Sequence, residues 1–240
     1  MTQPRVLVLQ HAPWERPGRI LQALDDVDMP TTVDSILDEK KPKLPEFNEL
    51  AGLVLMGGPM NALSDNHPGL AAEAKLARAC VMAGKPVLGV CLGHQILATA
   101  LGGKLKQSKT REIGFAPITK EGTHEYFPMF QTEQAVLNWH TDTVSLPPHA
   151  QLLASSKGTK NQAFRLGSAL GLQFHLEVTP SLLEEWLRTD EVAAGLKKAE
   201  IHAIRSDFDL NNASIKVLAD AVFSGFAARC LSYARTLQGA

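Results

Sequence analysis

The 240-residue sequence is short of cysteine, of long apolar runs and of net charge, and each shortage removes a class of protein. Its three cysteines, Cys80, Cys91 and Cys230, are an odd number with no C-x-x-C spacing, so neither a disulfide scaffold nor a zinc site is indicated. The formal net charge of -1 and the absence of a basic run give no electrostatic reason for a nucleic-acid or anionic-membrane partner. Lys40, Lys41 and Lys43 fall in a charged, proline-containing stretch (38–49) that reads as a solvated surface connection. The opening Val6-Leu7-Val8-Leu9 run is too brief for a secretory segment and far too brief to span a bilayer, which makes a cytoplasmic location the expectation. Repeats and low-complexity segments are absent too. What remains, 45% hydrophobic and 20% charged residues, describes an ordinary globular chain. It reads as a single domain (1–240), with a core to about residue 188 and a helical extension from about 189.

The stretch around which the chain is organised is Lys85-Pro86-Val87-Leu88-Gly89-Val90-Cys91-Leu92-Gly93-His94-Gln95-Ile96-Leu97. Val87, Leu88 and Val90 suit a buried parallel strand, and Ile96, Leu97, Ala100 and Leu101 share a face of a following helix that Gly102-Gly103 ends. Cys91 falls at the turn. Glycines two before and two after it remove the Cβ atoms that would collide where strand and helix fold together, the logic of a nucleophile elbow. The positive end of the helix macrodipole favours an anion there. A lone cysteine is more often a small core hydrophobe, so a second feature has to carry the functional reading. The run Ala169–Pro180 supplies it: it reads as a late strand ending at Pro180, on which His175 and Glu177, two apart, project to the same side. A cysteine nucleophile needs a base, and the base needs a third group to fix its tautomer.

Gly89-Val90-Cys91-Leu92-Gly93-His94-Gln95, followed by His175-Leu176-Glu177, resembles the triad, or class I, glutamine amidotransferases, most closely free-standing members similar to the amidotransferase domain of GMP synthase. The resemblance runs from the first strand to about Pro180 and includes Gly57-Gly58-Pro59, Trp139-His140-Thr141-Asp142 and Asn161-Gln162-Ala163-Phe164-Arg165. It implies an α/β fold: a three-layer, open, mostly parallel sheet of flavodoxin-like architecture with a nucleophile elbow, plus the helical C-terminal extension. It implies Cys91 as nucleophile, His175 as acid and base, Glu177 as the group that holds His175, and backbone N–H groups of Gly58 and Leu92 as the oxyanion hole. Gln95, one helical turn after Cys91, together with His140 and Asp142, is implied to hold the amino-acid end of a glutamine or γ-glutamyl small molecule. Trp139 stands where relatives commonly have a serine, which implies a narrowed or reshaped substrate end of the pocket; Met60-Asn61 stand where they often have a serine after the glycine turn, which leaves the contacts from that side open. Thr110-Arg111-Glu112 resembles a family loop that carries no chemistry. No metal and no organic cofactor are implied.

With no synthetase domain and no G-x-x-x-x-G-K loop, the use of the ammonia stays open. The chain reads as a cysteine-dependent glutaminase that works with an ammonia-accepting synthetase subunit, or as a self-sufficient γ-glutamyl hydrolase or peptidase. A non-catalytic binding or regulatory protein on the same fold is the third reading, against which the intact Cys91, His175 and Glu177 argue. A flavodoxin-like protease and chaperone reading ranks below these. His94 reads as helix packing; His11, His67, His124, His149 and His202 show no partner pattern, and Cys80 reads as buried. Ile215, Leu218, Val222, Phe226 and Cys230 mark one amphipathic helix over about 214–236, whose apolar face packs on the domain or, as the sharper alternative, on a second copy in a homodimer.

Overall fold

The computed structural model describes residues 3–107, 111–129 and 131–239. The chain begins β1 (Arg5–Leu9), α1 (Gly18–Asp25), β2 (Thr31–Asp34), β3 (Leu50–Leu55), α2 (Gly69–Met82), β4 (Val87–Val90), α3 (Leu92–Ala100). It continues β5 (Leu105–Lys106), β6 (Glu112–Lys120), β7 (Glu133–His140), β8 (Thr143–Val144), β9 (Gln151–Ser155), β10 (Ala163–Leu166), β11 (Ala169–Leu172), α4 (Pro180–Arg188), α5 (Asp190–Ala193) and α6 (Lys198–Gln238). Nine strands form one mostly parallel mixed sheet in the order β2-β1-β3-β4-β11-β10-β9-β6-β7. The strands β2, β1, β3, β4 and β11 are joined by parallel ladders, and β10, β9, β6 and β7 extend the sheet antiparallel.

Strand alternation explains the three layers. Val6 and Val8 of β1 join one apolar cluster with Ile20 and Leu24 of α1 and Ile215, Val222 and Phe226 of α6. Leu7 and Leu9, pointing the other way, join Leu70 and Cys80 of α2 and Ile96 and Leu97 of α3. The order β1, β3, β4 with its helical crossovers brings the carboxyl ends of these strands to one edge, where ligands of such sheets bind.

The C-terminal helix is longer than its periodicity suggests. It starts at Lys198 and runs 41 residues, closed at its N-terminus by Lys197 N–H donating to Glu200 Oε2 at 2.8 Å. Its first turns are mostly polar; Ile204 and Phe208 bury them against Leu182, Leu183 and Trp186 of α4, and the Arg205 guanidinium donates to both oxygens of Glu184 at 2.7 and 3.0 Å. Ile215, Leu218, Val222, Phe226 and Cys230 are all buried within the chain. Packing on the domain therefore accounts for the whole stripe. At Gly52 a Cβ would stand 2.5 Å from Cys230 Sγ, so α6 approaches the backbone of β3 closely. Among the described residues no helix is long and apolar enough to cross a membrane.

Two other expectations are corrected. The strand expected over Gly114–Thr119 is β6, which begins two residues earlier at Glu112; Thr110 of the neighbouring loop lies outside the described residues. The strand expected to run to Pro180 stops at Leu172. On one side β4 turns away at Cys91, whose N–H gives the last rung to Leu172 O at 2.8 Å. On the other side β10 has begun only at Ala163, opposite Leu172. Beyond Leu172, residues 173–178 leave the regular ladder and are held by single backbone bonds: Gln173 N–H to Gln162 O at 2.8 Å, His175 N–H to Leu137 O at 2.8 Å, and Arg19 N–H to Glu177 O at 3.0 Å. Pro180 opens α4, with Thr179 capping the Leu182 N–H.

Candidate active site

The elbow is strained where the glycines allow it. Cys91 sits at φ 52°, ψ -106°, a region that L-residues rarely occupy outside functional turns. A Cβ on Gly93 would stand 2.0 Å from Leu55 O, and one on Gly89 2.5 Å from Gly93 O, so α3 lies directly against the ends of β3 and β4. The thiol, 5% exposed, looks into a cavity of about 430 Å³ and donates to Trp139 O at 3.6 Å. The other two thiols differ: Cys80 is fully buried and pushed up to about 12, and burial raises Cys230 as well. Iodoacetamide added to the native protein is therefore expected to modify Cys91 at least tenfold faster than Cys80 or Cys230. Peptide mass mapping with and without denaturant checks this.

Gly58 and Leu92 share the wall of that cavity with Cys91. Leu92 is the first residue of α3, so its N–H has no intrahelical acceptor. A Cβ on Gly58 would lie 2.9 Å from Leu92 Cδ2 and 2.8 Å from His11 Cβ, which places the two backbone segments side by side. His11 fixes the turn before Gly58. Its Nδ1 faces Met56 O at 3.0 Å and Gly57 O at 3.1 Å, while Nε2 meets Glu73 of α2 at 2.9 Å, all buried. Burial pulls the His11 pKa down, but Glu73 and the two carbonyls outweigh it and leave it raised.

Gln95, His140 and Asp142 line the same cavity. Gln95 Nε2 donates to Asp142 O at 2.9 Å and to Gln173 Oε1 at 3.2 Å, tying α3 to the loop after β7. The Asp142 carboxylate accepts from Asn61 Nδ2 at 2.8 Å. His140 is a brace more than an open ligand. Its Nδ1 lies 3.2 Å from Asp142 O and its Nε2 3.3 Å from Glu112 Oε2, and burial lowers its pKa against the pull of Glu112. Glu112, which the sequence pattern leaves without chemistry, gathers Ser156 Oγ (2.9 Å), Thr159 Oγ1 and Gln162 Nε2 behind that histidine. Arg111, the residue just before β6, also lines the cavity.

Behind Cys91 stand His175 and Glu177, fully buried, with Nδ1 2.6 Å from Glu177 Oε1. Burial opposes the imidazolium, but the Glu177 charge and then Cys91 act the other way and raise His175 well above its usual value. Its Nε2 has no hydrogen-bond partner among the described residues. The ring is also held by aromatic contact: Trp186 lies edge-on at 4.9 Å, its indole N–H bonds Trp14 O at 2.8 Å, and Trp139 packs on it at 5.6 Å. Trp139 thus links the cavity wall, through Trp186, to His175. His94 is buried between Phe164 and Gly171 and pushed down to about 3 by burial, a neutral packing residue.

Glu15 and Trp186 carry no mark of a site residue in the sequence. Glu15 is the one acidic residue between the prolines Pro13 and Pro17 at the carboxyl end of β1, the only local sign of its place. Donor atoms of Glu15, His175 and Glu177 lie within 4.8 Å of one another, the metal-like grouping among the described residues. Within the grouping, His175 and Glu177 are paired to each other at 2.6 Å.

Known proteins resemble this chain in sequence and fold. Residues 18–193, well over half of the chain, match the family described as glutamine amidotransferase class-I. The glutamine amidotransferase-like protein YfeJ of Salmonella typhimurium is 33% identical over 148 residues, covering 58% of this chain and 62% of YfeJ. A free-standing chain of the glutamine-hydrolysing GMP synthase of Methanococcus vannielii, named as one of its subunits, is 31% identical over 165 residues, covering 67% of this chain and 82% of that one. The chain spans only 26% of the longer GMP synthase of Clostridium kluyveri that it also matches. The crystal structure of a glutamine amidotransferase from Thermotoga maritima superposes with a TM-score of 0.85 at 27% identity, covering 95% of this chain and 99% of that one.

Proposed function

Since the chain belongs to the class I glutamine amidotransferase family, we propose that it cleaves the γ-amide of glutamine or of a γ-glutamyl compound through a thioester on Cys91. The single observation that carries this reading is the grouping of a strained, cavity-facing Cys91 with the buried His175–Glu177 pair, whose histidine interacts with the Cys91 side chain. With Nδ1 engaged by Glu177, Nε2 is the nitrogen of His175 left to exchange protons. It takes the thiol proton, and the thiolate attacks the γ-carbonyl carbon. The carbonyl oxygen becomes an oxyanion between the N–H groups of Gly58 and Leu92, an interaction whose loss typically costs about 10²–10³ in rate. His175 Nε2 returns the proton to the departing nitrogen, and ammonia or an amine leaves behind a γ-glutamyl thioester. Water, losing a proton to the same nitrogen, then attacks the thioester; glutamate departs and the thiol is restored. Asp142 offers a carboxylate to the substrate α-ammonium, with Gln95 and His140 holding its loop. All of this is chemistry of side chains and backbone, with no cofactor invoked.

If glutamine is the substrate, these 240 residues, which contain no G-x-x-x-x-G-K loop, assign no acceptor to the ammonia. A synthetase chain is the partner that fits, by analogy with the Methanococcus vannielii relative, which is named as one subunit of a GMP synthase. The second reading, hydrolysis of a γ-glutamyl peptide by the chain alone, draws on the cavity itself. At about 430 Å³, with Trp139, Ile113 and Arg111 beyond the thiol, it is in the range of sites for ligands larger than a single amino acid. Glutamate release by the purified chain from glutamine and, in parallel, from a γ-glutamyl dipeptide separates the two readings. Turnover of the dipeptide but not of glutamine selects the peptidase. Turnover of either that disappears in Cys91→Ser supports the thioester route, and turnover that survives the substitution refutes it. A folded chain inert toward both substrates, and still inert with candidate partners present, selects the non-catalytic reading.

A further inference from the structure

Glu15 is an ionisable group in the site that the proposed reaction does not use. It lies in the loop between β1 and α1, buried, and its Oε2 has no hydrogen-bond partner among the described residues. Glu177 is in the complementary condition: Oε1 engages His175 and Oε2 has no partner among the described residues. The two carboxyl groups stand within 4.8 Å, a separation that one water or a small rotation of the Glu15 side chain closes.

The surrounding chain holds Glu15 there. Gly57 has no Cβ because the Glu15 carboxyl occupies its place, 2.4 Å from where that atom would be. Trp14 O takes the indole N–H of Trp186, and the start of α1 is fastened to the backbone on either side of Glu177. Arg19 N–H bonds Glu177 O at 3.0 Å, its guanidinium bonds Leu176 O at 2.9 Å, and a Cβ on Gly18 would strike Glu177 O at 2.2 Å. Burial, the largest effect, pushes Glu15 up to about 7; His175 and His11 draw it down and Glu177 pushes it further up. Arg19 faces Glu177 from α1, and His11 is itself paired to Glu73 of α2. Two buried carboxyls this close do not both ionise readily.

We propose that Glu15 is a positioning residue for the base: its protonated carboxyl supplies the donor that Glu177 Oε2 lacks, so the pair shares one proton and Glu177 stays a monoanion aimed at His175 Nδ1. The proposal rests on the reading of Cys91 and His175 given above. Loss of the shared proton as pH rises sets a second negative charge beside the imidazolium. His175 then holds its proton more tightly and becomes a weaker acid toward the departing nitrogen.

Alkylation of Cys91 by iodoacetamide, followed by mass spectrometry of its peptide from pH 5.5 to 9, tests this in the full chain without any assumption about the natural substrate. Wild type is expected to show an inflection near pH 7 that Glu15→Gln lacks. At pH 7 Glu15→Gln, which keeps an N–H donor toward Glu177, is expected to stay within about threefold of wild type, whereas Glu15→Leu falls about tenfold or more. An inflection that persists in Glu15→Gln, or equal rates for the Gln and Leu variants, overturns the proposal. Where Glu15→Leu fails to fold by circular dichroism, the pH profile of Glu15→Gln decides alone. Failure of the glutaminase reading leaves this comparison intact, because alkylation reports only the thiol and its base.

Discussion

Replacing His175 with glutamine is expected to lower Cys91-dependent hydrolysis by on the order of 10⁴-fold while the protein remains folded. Glutamine fills much of the same volume against Trp186 and can still bond Glu177, but it cannot carry a proton between sulfur and the departing nitrogen. The loss belongs mainly in kcat, since no predicted substrate contact is removed; a rise in KM with kcat preserved would assign His175 to binding instead. The pH profile adds a second check. Glu177 and Cys91 raise the His175 pKa well above its ordinary value, so the imidazolium persists to higher pH than an isolated histidine allows. Glu177→Gln removes the larger of those two effects, and the basic limb of the wild-type profile is expected to move to lower pH. Activity of His175→Gln above about a tenth of wild type would point to another base, and His140 and Glu15 are the groups within the site to replace next.

The elbow was legible because its causes are local: two glycines, a cysteine and the change from strand to helix all fall within thirteen residues. His175 and Glu177 were legible from their spacing, although the strand invoked to align them ends at Leu172. A segment outside the regular ladder still carries both side chains to one site, because Gln162 O, Leu137 O and Arg19 N–H each hold its backbone by a single bond. Glu15, Trp186, Glu112 and His11 were not legible as site residues, for one physical reason. Each acts on a segment far away in sequence: Trp186 across Trp14 to His175, Glu112 from β6 to His140, His11 from the loop after β1 to α2 and the glycine turn. Periodicity reports which face of an element is apolar and says nothing about which polar side chain from another element will meet it. The same limit applies to α6, whose polar first turns hide a helix that Ile204 and Phe208 fasten to α4.

His11 shows what such a hidden contact is worth. Both ring nitrogens face acceptors, carbonyls on one side and the Glu73 carboxylate on the other, an arrangement that favours the doubly protonated ring in a fully enclosed position. Removing one member of a buried pair costs about 3–5 kcal/mol, so Glu73→Gln is expected to lower Tm by roughly 10 °C in a domain of this size. The sign of its pH dependence follows from linkage. The folded pKa of His11 is raised, so its proton-linked stabilisation is complete below the ordinary histidine value of about 6.5 and is lost as pH rises through the folded value. The gap in stability between wild type and Glu73→Gln is therefore largest near pH 6 and shrinks by pH 9, as urea unfolding at the two pH values will measure. A gap independent of pH would mean that the contact is an uncharged hydrogen bond. Activity is tied to the same pair, because His11 bonds the carbonyls of Met56 and Gly57 and so sets the direction of the next N–H, that of Gly58. At a temperature where Glu73→Gln is still folded, a fall in kcat with KM little changed is the expected mark of a displaced oxyanion donor. An unaltered kcat would confine the pair to stability and free the glycine turn from its control.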